Sequence, residues 1–251
     1  MKYILGTGII SAAVLLLSMA RNANNIKERR HRIKLKTTKG FHPFRVVFIA
    51  DIHRQKLPED FLDFRADAII IGGDLTERGV PLKRTAHNLR VLTGAAPAYF
   101  VWGNHDQNVG ERKLRKLLDH FNVKVMDNES VELFGQAHLK LVGIDYFGDR
   151  EIKLEKAFAD VQQEDTVLFA AHTPAIFKFL HPAGNPQLLM AGHLHGGQIR
   201  LGKIGLYKNG SLKKSGSRYE LITNGYGTST LPLRLGAEAQ YHVLDIYPEM
   251  I

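Results

Sequence analysis

From residue 44 onward, short β-branched or aromatic runs stop one after another at clusters of glycine, aspartate, asparagine and histidine, and this punctuation leaves few folds open. Residues 44–50 end at Asp51-Ile52-His53, and 68–71 end at Gly72-Gly73-Asp74. Residues 98–101 end at Gly103-Asn104-His105-Asp106, and His172 follows 166–170. The run 188–191 ends at Gly192-His193-Leu194-His195-Gly196-Gly197-Gln198. Further strands are expected at 139–144, 220–223 and 242–246, with helices at 82–92, 111–121, 152–162 and 175–180. Continuous apolar runs such as Val46 to Ala50 fit strands buried on both faces, and Pro81 suits the start of the helix after it. Strands alternating with helices, with no internal repeat or linker, predict one α/β domain over 44–251.

Side chains at the carboxyl ends of such strands are placed to meet a ligand. Asp51 and His53 stand two apart, as do His193 and His195, so an extended backbone would send each pair to one face. Asp74 offers two oxygens that could bridge two ions, Asn104 a neutral oxygen, and His172, His193 and His195 nitrogens. The chain has no cysteine, so disulfides and thiolate metal sites are excluded. Imidazole and carboxylate without thiolate suit manganese, iron, zinc, nickel or cobalt better than calcium or magnesium alone. The glycines let the backbone turn sharply and leave room for substrate.

The formal net charge is +9, and it is unevenly spread. Arg21, Lys27, Arg29, Arg30, Arg32, Lys34, Lys36 and Lys39 stand against Glu28 alone. Ahead of them, Tyr3 to Ala20 is an uncharged apolar run of about 18 residues, near the lower limit for spanning a bilayer. Basic residues just after such a run resist translocation. Residues 1–20 are therefore expected to be an uncleaved membrane anchor and 21–43 a solvated basic tether able to attract anionic headgroups. The α/β domain would then lie on the cytoplasmic side. The alternative is a cleaved signal peptide with small residues at Ser18 and Ala20, giving a secreted protein. No nucleic-acid partner is expected, because the charge adjoins the anchor and no aromatic stacking pattern accompanies it.

Asp-x-His, Gly-Asp, Gly-Asn-His-Asp, a lone His and Gly-His-x-His, in that order from Asp51 to His195, resemble the calcineurin-like metallophosphoesterase superfamily. The amino-terminal run and the stretch Gly225 to Arg234 look most like its small membrane-associated bacterial branch. The resemblance implies a four-layer α-β-β-α sandwich, two central mixed sheets flanked by helices. It implies two divalent metal ions, manganese first among them. One would be held by Asp51, His53 and His195, the other by Asn104, His172 and His193, with Asp74 bridging. His105 would act as the nearby acid and Asp106 would orient it. The chain departs from purple acid phosphatases, which carry a tyrosine ligand where Glu77 stands. The activity implied is hydrolysis of a phosphate ester, a phosphodiester or pyrophosphate, by water activated between the metals, with a lipid-linked substrate in keeping with the anchor. A cyclic-nucleotide phosphodiesterase and a non-catalytic metal-binding scaffold are the alternatives. Arg234 is the best remaining candidate for a substrate contact.

Overall fold

In β2 (Phe44–Ile49) successive side chains enter two different cores: Val46 and Phe48 face one, Val47 and Ile49 the other. A strand apolar on both faces must lie inside a layered structure. The computed structural model describes the backbone of residues 2–9 and both backbone and side chains of residues 10–146, 153–180 and 185–251. Its first sheet runs in the order β1 (Lys27–Thr37), β14 (Gln240–Met250), β2, β3 (Ala68–Ile71), β4 (Ala98–Phe100) and β5 (Lys124–Val125). The second runs β12 (Ser211–Ser215), β13 (Arg218–Ile222), β9 (Leu188–Ala191), β8 (Thr166–Ala171), β7 (Gln136–Gly143) and β6 (Glu129–Leu133). Both sheets are mixed: β2, β3, β4 and β5 pair in parallel while β14 runs antiparallel to β2, and β6 and β12 are antiparallel edges on a parallel centre.

The sheets face each other across a core that includes Phe48, Ile70, Leu141, Leu168 and Met190. Helices α2 (Leu82–Ala95) and α3 (Asn104–His120) cover the outer face of the first sheet through Leu89, Leu92, Leu114 and Leu118. The short helix α4 (Leu154–Ala157) and the 3-10 turn Pro174–Phe179 cover the second through Ala157 and Ile176. This is the expected four-layer α-β-β-α sandwich. The strand ends carrying Asp51, Asp74, Asn104, His172 and His193 all reach one edge of it. Part of the helix expected at 152–162 lies outside the described residues, and what is described of it is α4 alone. The helix expected at 111–121 starts earlier, at Asn104, and turns at Gly110, whose φ is 105°.

The solvated tether expected at 21–43 is corrected. Residues Lys27–Thr37 form β1, paired in parallel along the full length of β14. Ile33, Leu35 and Thr37 are buried between exposed Arg32, Lys34 and Lys36. Alternation with period two is the mark of a half-buried strand, and the charged row guards an open sheet edge. The domain therefore begins before residue 44.

The helix α1 (Lys2–Asn24) covers the apolar run, and among the described residues no helix is long and apolar enough to cross a membrane. The anchor expected at residues 1–20 falls in part on residues 1–9, whose side chains lie outside the described residues. The end of α1 packs onto the domain through buried Met19 and Ala23, and Arg234 N donates to Met19 O at 3.0 Å.

Candidate metal centre

Five of the seven expected ligands hold left-handed backbone: φ is 56° at Asp51, 52° at His53, 51° at Asp74, 72° at His193 and 49° at His195. Such values cost a non-glycine residue about 1–3 kcal/mol and cluster where function demands them. The side chains thus converge because the chain turns sharply after each strand, not because an extended backbone alternates, as the spacing suggested. The turns are zipped together by backbone: Asp51 N donates to Gly73 O at 2.9 Å and His53 N to Asp74 O at 3.1 Å. Asp51 accepts His193 N on both carboxylate oxygens, each at 3.1 Å. Glycine is required at Gly103, where a Cβ would collide with the Asp74 carboxylate, and at Gly225, where φ is +77° and a Cβ would stand 2.7 Å from Asp51 Cβ.

The donor atoms face inward. His53 Nε2 lies 3.1 Å from His195 Nε2, and His195 Nε2 lies 3.8 Å from Asp51 Oδ1. On the other side His172 Nε2 is 3.1 Å from Asn104 Oδ1 and 3.0 Å from His193 Nδ1. Asp74 Oδ2 stands between the two groups, 3.7 Å from His53 Nε2 and 3.3 Å from His172 Nε2. All seven expected ligands are thus brought together. Asp51, His53 and His195 form one set of convergent donors, and Asp74, His172 and His193 another. Imidazole nitrogens aimed at one another between buried carboxylates suit cations at their meeting points once the rings have given up their protons.

Partners outside the cage fix its rings. His172 Nδ1 lies 3.0 Å from Gly72 O, an acceptor, which sets Nε2 as the inward lone pair. Glu77 Oε2 lies 3.0 Å from His53 Nδ1, off the ring's donor direction, and Glu77 also pairs with Arg54. The contact with His53, and then Arg54, hold the Glu77 carboxyl down at about 2 despite partial burial. In the sequence Glu77 marks only the place where purple acid phosphatases carry a tyrosine. Its position three residues after Asp74 was the one signal of its role.

Burial and the charges of the cage compete in setting its protonation. Burial pushes Asp51 up to about 6, with Asp74 adding repulsion against the pull of His172. At Asp74 burial also favours the neutral form, but His172, His53 and His105 more than offset it and hold the carboxyl below its ordinary range. His172 is buried too, yet the Asp74 and Asp51 carboxylates raise it to about 9. Burial and then His172 lower His193 to about 4. Burial, His53 and Arg234 lower His195 well below its usual value. Cation binding at such a site displaces protons from its ligands.

His105 sits at the rim, partly exposed, with its backbone N donating to Asp74 Oδ1 at 2.8 Å and its ring edge-on to that of His53 at 5.0 Å. Asp106 does not orient it. The Asp106 oxygens accept Thr76 N and Gly103 N, each at 3.0 Å, and no hydrogen bond joins Asp106 to His105 among the described residues. A carboxylate three residues into a helix turns back to its first amides, and this one braces the loop that carries Asp74 and Asn104. Arg234 is corrected likewise. It is wholly buried, so substrate cannot reach it. Its guanidinium donates to Asn224 O at 2.6 Å, Ala237 O at 3.1 Å and Gly227 O, and stands 3.3 Å from His195 Nδ1. It is a clamp beneath the His195 turn, still charged at neutral pH although burial lowers it to about 10.

A sequence profile described as calcineurin-like phosphoesterase matches residues 44–197. The Bacillus subtilis (strain 168) protein YpbG is 34% identical over 97% of this chain and 96% of its own length. A Helicobacter pylori metallophosphoesterase is 27% identical over 82% of this chain and 60% of its own. The Escherichia coli (strain K12) phosphodiesterase YaeI is 27% identical over 81% of this chain and 82% of its own.

Proposed function

Because the chain belongs to the calcineurin-like phosphoesterase family, and is a metal-dependent phosphoester hydrolase, we propose that it cleaves a phosphodiester or pyrophosphate bond at a pair of divalent cations. Asp51, His53 and His195 would hold one ion, Asn104, His172 and His193 the other, and Asp74 would join them. The observation that carries this reading is the place of Asp74 Oδ2, within 3.7 Å of a histidine from each donor set. Manganese fits the donors, as do iron, zinc, nickel and cobalt. When bound, such a pair polarises the phosphoryl oxygens and makes a water nucleophile available at neutral pH.

The chain's own groups supply the rest. His105, tied to Asp74 through its amide and open to solvent, hands a proton to the departing oxygen. Asp106 and Arg234 hold the loops on which the donors stand, and the Glu77 carboxylate lies against the His53 ring. A diester is favoured over a monoester by the name of the Escherichia coli relative, a phosphodiesterase. The enzyme works at the membrane surface on the cytoplasmic side, on a lipid-linked ester. That reading is supported by the apolar run of α1 and by Leu15, Leu16 and Leu17, which it leaves exposed.

The test begins with the protein stripped by chelator and reloaded with manganese. Metal analysis should find two ions per chain, and bis-p-nitrophenyl phosphate should be hydrolysed faster than the monoester. Full activity with a single ion, or faster monoester cleavage, would sink the proposal.

A further inference from the structure

Five residues beyond His195 the chain has left the metal centre and forms a hairpin of β10 (Arg200–Leu201) and β11 (Ile204–Gly205). Its apolar side chains point at solvent: Leu201 is 73% exposed, Ile204 78% and Leu206 80%, with Tyr207 beside them. They are held there. The buried Arg200 guanidinium donates to Lys203 O at 2.9 Å, Gly196 O at 3.1 Å and Tyr207 O. A Cβ at Gly205 would stand 2.6 Å from that guanidinium, and Gly197, at φ +78°, could not carry one without meeting Tyr207 N at 2.9 Å. One buried cation thus staples the hairpin to the turn that presents His195, so the apolar tip and the cage keep one mutual orientation.

A rigid tip that shows three aliphatic side chains to water gives up burial that a floppy loop could recover by folding back, and such patches mark contact surfaces. The segment 201–208 carries Lys203 and Lys208 and no acidic residue. Aliphatic side chains flanked by lysine suit the interface of an anionic bilayer, where cations meet phosphate headgroups. A second copy of the same tip would bring like charges together. The loop at the hairpin's base also reaches α1: Gln198 Nε2 donates to Leu231 O at 2.9 Å, and Arg234 N donates to Met19 O at 3.0 Å. The exposed leucines of α1 therefore join the hairpin through one hydrogen-bonded segment.

We infer that the β10–β11 hairpin docks into anionic membrane surface and so presents the metal centre to phosphate esters at headgroup depth. This rests on the membrane-proximal reading above and assigns it to particular residues. Since the chain has no cysteine, Ile204→Cys in the full-length protein gives a single site for an environment-sensitive dye, with exposed Arg112→Cys on α3 as the control. With phosphatidylglycerol–phosphatidylcholine vesicles the dye at position 204 should shift to the blue and be quenched by brominated lipid. The dye at 112 should not respond, and phosphatidylcholine alone should give little shift at either. The triple variant Leu201→Ser, Ile204→Ser, Leu206→Ser should lose more than about tenfold in vesicle partitioning while hydrolysing a soluble diester at the unaltered rate. The inference is overturned if the dye at 204 stays in water, whether or not the protein sediments with vesicles. It is equally overturned if the triple variant keeps its partitioning and instead changes from dimer to monomer in sedimentation velocity. The soluble-diester rate of the unaltered protein separates the two proposals, since its absence would remove the phosphoesterase chemistry and leave the docking result standing.

Discussion

Glu77 is the residue whose role is least visible in the chain and most exposed to test. It stands 3.0 Å from His53 Nδ1, and the charge of a carboxylate behind a ligating imidazole raises the ring's basicity. Glu77→Gln keeps the size and removes the charge, so metal affinity or activity should fall by about 10–100-fold, read by titration of stripped protein with manganese. His105 should behave oppositely. His105→Ala leaves the expected ligands in place, so metal content should stay unchanged while turnover drops by about 10²–10⁴. Loss of metal together with rate would make His105 a ligand instead of an acid. At Arg234 the expected effect is on folding. Arg234→Met strips a donor from Asn224 O, Ala237 O and Gly227 O in a dry site and should cost about 3 kcal/mol or more, seen as a lowered denaturant midpoint. Wild-type stability with a raised KM would restore Arg234 to the substrate.

At the scale of elements, the strands that carry the cage were legible because burial on both faces leaves unbroken apolar runs, as in β2 and β9. What could not be read was whatever depends on a partner. The two-residue strand β5 exists through its pairing with β4, and nothing in Lys124–Val125 announces it. β1 is masked by its own charge. Its lysines and arginines made it look like a tether, while Ile33 and Leu35, the core-facing half of the alternation, were outvoted by charge. Ligand identities were readable because residue type sets them. Left-handed turns at five ligands, and the guanidinium beneath His195, follow from tertiary closure and leave no such trace. The strand assignment has its own consequence. Ile33→Ala should cost about 2–5 kcal/mol, while exposed Lys34→Ala stays within about 0.5 kcal/mol. Equal and negligible effects in a denaturant titration would return 27–37 to solvent.

For the molecule as a whole, β1 and β14 matter beyond their packing, because they bring His31 and His242 together outside the cage. The rings stack at 5.3 Å, with His31 Nε2 3.0 Å from His242 Nδ1. Burial, then His31 and Arg29, hold His242 down at about 3, and burial with Arg29 lowers His31 as well. Unfolded, each ring would take up its proton near pH ~6.5. Below that pH the unfolded chain binds protons that folded His242 refuses until about pH 3. Its contribution is therefore fully present above pH ~6.5 and lost progressively as pH falls toward 3, at up to about 1.4 kcal/mol per pH unit. The cage titrates over part of the same range, so the comparison is between the protein and its His242→Leu variant in identical buffers with manganese present. Their difference in Tm should stay constant from pH 8 to 7 and then move in favour of the variant as pH falls to 5. Parallel curves across the whole range would mean that the two rings carry no part of the acid sensitivity, and that proton uptake in the cage accounts for all of it.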